Sequence, residues 1–213
     1  MFSIISKRFL NVLFIIFFVL LIDALADTKA INRGILGIKL GMTLDEVKKL
    51  FHIEEKEDGM VILMRRYGFD DPEKQTKINK SLDKKVFNVK DGLSEGVESI
   101  ELFSRKNIIY QIALHYGKEY VQKIDWDLFT LSSIEKYGQP KVINNLMTIV
   151  SFTYHWQDTQ TRLEVSKSGS LSDDKNKFIP TIYNVFYTDI KAYDIMKEEE
   201  KHETERTTIV PKF

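Results

Sequence analysis

The stretch Gly37 to Phe51, Gly-Ile-Lys-Leu-Gly-Met-Thr-Leu-Asp-Glu-Val-Lys-Lys-Leu-Phe, constrains the fold of this chain more than any other segment. Thr43 stands as an N-cap whose hydroxyl accepts from the amide three residues on, and Glu46 is placed to reach back, forming a capping box. Met42 outside the cap and Val47 inside it have the spacing of a hydrophobic staple. Leu44, Val47, Leu50 and Phe51 mark one apolar stripe, with Asp45, Lys48 and Lys49 on the water side. The strands that follow are expected to pack on this helix. Gly34, Gly37 and Gly41 fit neither the phosphate-loop nor the dinucleotide spacing and read as turn-shaping residues.

Residues 1–26 read as a delivery signal outside the fold. Lys7 and Arg8 form a basic start, Phe9 to Ile22 an apolar run of 14 residues broken by Asn11, and Ala24-Leu25-Ala26 a small-x-small cleavage site. That run falls short of the roughly 18 apolar residues that mark a spanning helix. Cleavage near Ala26 is therefore expected, giving a periplasmic or secreted chain with no membrane span; an uncleaved anchor is the alternative.

There is no cysteine, which excludes disulfides, thiolate metal sites, a thiol nucleophile and a lipid-bearing cysteine. An exported chain of this kind is held by its core alone. Without Lys7, Arg8 and Asp23 the 31 basic and 31 acidic residues become 29 and 30, a net charge of −1. No global steering toward nucleic acid or an anionic membrane surface follows from that balance.

After the helix, 54–59 reads as a turn and Met60 to Arg66 as a strand covered on both faces. Residues 67–96 read as a polar insertion, with Asp70-Asp71-Pro72 as a turn signal. Between Glu73 and Lys90 six lysines face two acids, a local charge of +4. Lys77, Lys80, Lys84 and Lys85 are candidate contacts for an acidic partner, weighed against an ordinary solvated loop. Only Phe87 interrupts them, so base stacking and nucleic-acid binding are not expected. Asn79-Lys80-Ser81 matches a glycosylation acceptor.

Val97 to Phe103 and Ile108 to Tyr116 form a hairpin about a four-residue turn, Ser104 to Asn107, with one core face and one partly wet face. A second round then starts. Asp125 caps a helix through Trp126, Phe129, Ile134 and Tyr137, Gly138 takes the left-handed position after it, and Pro140 stops it. Thr148 to Trp156 and Thr161 to Lys167 make another hairpin, 168–177 a polar loop and Thr181 to Tyr187 a last strand. Asp189 caps a terminal helix carrying Ile190, Tyr193 and Met196, and 198–213 is a charged, frayed tail. The expected class is α+β, with two helix-plus-antiparallel-meander units, 27–117 and 118–197, and helices packed on one face of the sheet or sheets.

Gly41-Met42-Thr43, Glu46-Val47 and Gly138-Gln139-Pro140 resemble the helix starts and stops of small exported bacterial α/β-repeat domains. Those are the outer-membrane-assembly lipoproteins of the SmpA/OmlA type and the β-lactamase-inhibitor-like domains. The match spans about 20 residues, and this chain lacks their lipid-bearing cysteine. The resemblance implies a non-catalytic domain binding other envelope proteins through a sheet face or edge.

Chemistry-bearing motifs are few. Four histidines show no metal-binding spacing, and no serine elbow is present. His115 and His155 are weak metal candidates, and they anchor the alternative reading of a hydrolase or metal-dependent enzyme with a non-sequential site. No cofactor is implied. Tyr110, Tyr116, Trp126, Tyr154 and Trp156 are the preferred candidates for partner binding where they reach the wet side of the sheet, and core where they do not.

Overall fold

In the computed structural model the described residues are 30–68, 71–145, 150–171 and 178–208. The expected signal at 1–26 lies outside them. A small hairpin of β1 (Gly34–Ile35) and β2 (Ile38–Lys39) precedes α1 (Leu44–Lys48). Then come β3 (Ile53–Lys56), α2 (Gly59–Tyr67), α3 (Pro72–Ser81), β4 (Lys84–Val89), β5 (Val97–Arg105) and β6 (Ile108–Tyr116). The second half runs α4 (Lys118–Val121), α5 (Trp126–Tyr137), β7 (Lys141–Asn145), β8 (Val150–Gln157), β9 (Thr161–Leu171), β10 (Phe178–Asp189) and α6 (Ile190–Thr208).

Eight strands form one antiparallel sheet in the order β3-β4-β5-β6-β10-β9-β8-β7. Each half is a four-stranded meander, and the two are joined by their last strands, from Tyr183 opposite Tyr116 to Thr188 opposite Gln111. The fold is α+β. On the first face Leu102, Ile112, Leu114, Leu163, Val165, Tyr183 and Trp156 share one core with Ile38, Leu44, Val47 and Trp126, which places α1 and α5 there. Residues alternate sides along a strand, so Arg162 and Thr188 point the other way. There Arg162 lies over the ring of Tyr193 on α6, and that ring meets Tyr110 at 6.3 Å. The expectation of helices on one face is thus corrected: α6 covers part of the second face, α3 packs on α6 and β4, and α2 packs on α3.

The capping box forms as expected, with Glu46 N–H donating to Thr43 Oγ1 at 3.2 Å and Thr43 N–H to Glu46 Oε2 at 2.7 Å. Leu50 departs from the stripe and stays 57 % exposed, because the helix ends at Lys48. Met42 C=O and Gly41 N–H both bond Ile109, stitching the helix start to β6. Upstream, Ile31 N–H donates to Asp158 Oδ2 and Arg33 pairs with Asp189, so the N-terminal segment also holds the far meander.

Three local readings are corrected. Met60 to Arg66 is helix, not strand: Asp58 caps it through Met60 N–H, and Gly68 closes it in the left-handed region at φ 67°. The supposed insertion contains α3 and β4. Asp71 caps α3 with Pro72 in its first turn, so the Asp-Pro signal starts a helix instead of a turn. The β5–β6 turn is Lys106-Asn107 alone, both at positive φ, because twisted antiparallel strands favour a two-residue connection of that hand.

Elsewhere the expected elements form with shifted ends. Gly138 has positive φ, 81°, but an extended ψ of −168°, and its carbonyl accepts from Trp156 Nε1. The terminal helix runs to Thr208 instead of fraying at Glu198, since Glu199 pairs with Arg105 and Glu200 lies 3.5 Å from Lys84. Asn79 is 8 % exposed and its amide donates to Asp58, so the acceptor pattern is sealed in the fold.

Gly96, at φ 80°, is where backbone freedom matters most. An added Cβ would stand 2.1 Å from Cδ2 of Tyr120, which packs on Tyr116 and Phe129. Gly96→Ala is expected to lose about 2–3 kcal/mol in urea unfolding, through positive-φ strain and the displaced ring.

Candidate functional site

Burial sorts the sequence candidates. Tyr110, Trp126 and Trp156 are 3 %, 8 % and 5 % exposed and belong to the interior. Tyr116 and Tyr154 are half-buried: Tyr154 sits 5.1 Å from Trp126 and Tyr116 sits 5.0 Å from Phe129. These aromatics build the first-face core under α5 and, for Tyr110, the seat of α6. Lys167 closes one end of the cluster, 4.9 Å over Trp126 and 5.2 Å over Phe152, and partial burial lowers its pKa.

Among the lysines, Lys84 is a structural hub between Asp58 and Glu200, at 3.5 Å from each. Lys85 pairs with Glu55, while Lys77 and Lys80 are exposed on α3. The lysines do not converge as one arm.

What the fold assembles instead is a polar surface on the second face. Ser99, His115, Asn184, Ser166 and Thr153 stand opposite one another across β5, β6, β10, β9 and β8. The adjoining row runs Glu101, Ala113, Phe186, Glu164 and His155 over the same strands. All are half-buried except Ala113, which is buried. Strand register fixes the side chains in two lines, so the surface is rigid before any ligand arrives.

The centre of this surface is an electrostatic chain. Lys56 pairs with Glu101, Glu101 Oε1 lies 3.7 Å from His115 Nε2, and His115 Nδ1 lies 2.6 Å from Asn184 Oδ1. Asn184 Nδ2 donates to Ser166 Oγ at 3.4 Å, which orients Oδ1 toward the imidazole. His115 Nδ1 therefore carries a proton. Its Nε2 is buried, lacks a hydrogen-bond partner and faces a carboxylate, which favours a second proton there. Burial pulls the His115 pKa down, but Glu101 and Asn184 together outweigh it and the net shift is upward. The imidazole beside Glu101, with Lys56, holds its carboxyl down to about 2 against the cost of desolvation.

His155 takes a separate place, 3.8 Å from Glu164. Two strands, β10 and β9, lie between its strand and that of His115. At the usual strand spacing this separates the histidines by about 14 Å, so they cannot bind one metal ion together. Among the described residues no group of three or more His, Asp and Glu could hold a metal ion. Asn184 stands between His115 and Ser166, so imidazole and hydroxyl do not meet. The arrangement is suited to holding fixed charges and hydroxyls toward a ligand, with Phe186, edge-on to His115 at 6.2 Å, as a flat apolar contact.

The alternation of Thr153 and His155 with Phe152, Tyr154 and Trp156 is the visible trace of this surface in the sequence. The partnership of Glu101, His115 and Asn184 crosses three strands and left no local signal. No family model, curated protein or solved structure matches the chain.

The network has a testable pH signature. Glu101 contributes stability that is complete above its unfolded pKa of about 4.3 and is lost as pH falls toward about 2. His115 contributes stability that is complete below about 6.5 and is lost as pH rises through its raised folded pKa. Urea midpoints are expected to be highest between these limits, and Glu101→Gln is expected to flatten the acid limb and lower the His115 pKa measured by NMR.

Proposed function

We propose that this chain is an exported, non-catalytic binding module of the cell envelope that grips a protein partner through the polar second face of β6, β10, β9 and β8. The single observation behind this reading is the pair of ordered rows there. Half-exposed hydroxyls, a charged Lys56–Glu101–His115 chain and Phe186 share one rigid surface with no metal-ligand cluster among the described residues. Preorganised polar groups lose little entropy on binding, and an aromatic ring among them supplies an anchor.

The leader pattern of 1–26 supports the export part of the proposal. The resemblance to envelope-assembly and inhibitor-like repeat domains supports a partner-binding role. The face engaged differs from the aromatic one anticipated above, because the aromatic side chains fill the core.

Photo-crosslinking residues placed at Thr153 and Ser166 of the full chain, expressed in cells, are expected to capture the same envelope protein. A residue at Leu131, on the outer side of α5, should not. Phe186→Arg should abolish capture while leaving the melting temperature within a few degrees. Equal capture from all three positions, or none from Thr153 and Ser166, refutes the reading. Mass spectrometry of the exported chain is expected to give a start near Asp27.

A further inference from the structure

Helix α2 is the most outwardly apolar element of the described chain. Of its nine residues only Val61 is buried, whereas Met60 is 56 %, Ile62 40 %, Leu63 46 % and Tyr67 59 % exposed. Isolated exposed apolar side chains are ordinary. Four on nine residues are not, because leaving them wet wastes most of what they would gain by burial. At about 100° per residue, Leu63, Tyr67 and Met60 fall within an arc of about 60° on the side away from Val61, and Arg66 lies between Leu63 and Ile62.

Arg66 borders this stripe, and two further cations stand on the helix that packs against it. Arg65 is spent on Glu57, but Arg66 has no ion-pair partner among the described residues. Lys77 and Lys80, which share the exposed side of the neighbouring α3 with Glu73, have none either, so that side keeps a net positive charge. The stripe is also held ready. Asp58 caps α2 while accepting from Asn79 and pairing with Lys84, so the helix is presented folded from a fixed base.

We propose that α2, with Lys77 and Lys80 beside it, docks the protein on an anionic lipid surface. Met60, Leu63 and the ring of Tyr67 enter at the level of the headgroups, and Arg66, Lys77 and Lys80 pair with lipid phosphates. Charge complementarity selects this occupant. An amphipathic helix with an apolar stripe and basic flanks is the form that lies in a membrane interface, and unpaired cations at its rim match a negatively charged plane. The formal net charge of the whole chain is zero, so no long-range attraction helps, and the contact needs both the stripe and its cations.

The absence of cysteine allows a clean test. Leu63→Cys in the full chain carries an environment-sensitive fluorophore, and Leu131→Cys on α5 carries the same probe as a control. Vesicles of phosphatidylcholine are compared with vesicles containing a phosphatidylglycerol fraction. The probe at position 63 is expected to shift to the blue and to be quenched by lipid-borne quenchers only with phosphatidylglycerol, while the probe at 131 stays in water. Arg66→Glu, Lys77→Glu and Lys80→Glu combined should weaken that response at least about tenfold, with unchanged circular dichroism. A probe at 63 that stays in water while the chain is held on vesicles by its N-terminal apolar run overturns the proposal. So does an equal response to neutral vesicles, or a probe already shielded before vesicles are added, which would indicate a protein partner on α2.

Discussion

The pairing of β6 with β10 is the contact on which everything else rests. Each meander alone ends in a strand with an open edge, and the apolar residues of its first face lack neighbours on one side. Joining the two last strands sets Leu114 beside Val185 and Ile112 beside Tyr187, which makes two half-cores into one. The same register carries the second face. Gln111 Nε2 donates to Thr188 Oγ1 at 3.0 Å, and His115 meets Asn184, so two part-buried polar contacts cross this seam. A slip of one residue would send every one of these side chains to the wrong side.

The two faces solve burial differently. The first is closed by apolar matter from α1, α5 and the N-terminal hairpin around a cluster of rings. The second is closed partly by helices whose attachment is polar. Lys84 reaches Asp58 and Glu200, Gln75 bridges Asn79 and Glu200, and Lys197 adds a third hold on Glu200 at 2.9 Å. Desolvation works against ionising Glu200, yet these cations and the Gln75 amide hold its pKa below the ordinary range. Such a network places helices specifically without demanding a large apolar interface, which is why α2 can sit on the fold with a single buried residue.

Legibility in the sequence followed the range of the interaction. The capping box at Thr43, the cap at Asp125 and the hairpin of β5 and β6 are local, and their chemistry stands within a few residues of itself. Helix α2 reads as a strand because its apolar residues are not periodic toward a core. A run of five reads as a buried strand, and only Asp58, Gly68 and the terminal Arg65-Arg66 pair betray a helix. In α3 the signal is present but ambiguous, since Asp-Pro both starts helices and makes turns. The polar face was illegible for another reason: Glu101, His115, Asn184 and Ser166 become neighbours only through the β6–β10 seam, and nothing near any of them announces that pairing.

The stitching of Ile31 to Asp158 and of Arg33 to Asp189 has a kinetic consequence. The segment ahead of β1 is clamped by the β8–β9 turn and by β10, and the central seam also awaits β10, so contacts of long sequence separation must form before the core is sealed. Loop closure of that size is slow, and the first meander stays without its partner strand until β10 is available. A chain built this way acquires its native state late and all at once. Vectorial emergence, whether from a ribosome or through a membrane pore, leaves it threadable until β10 has passed.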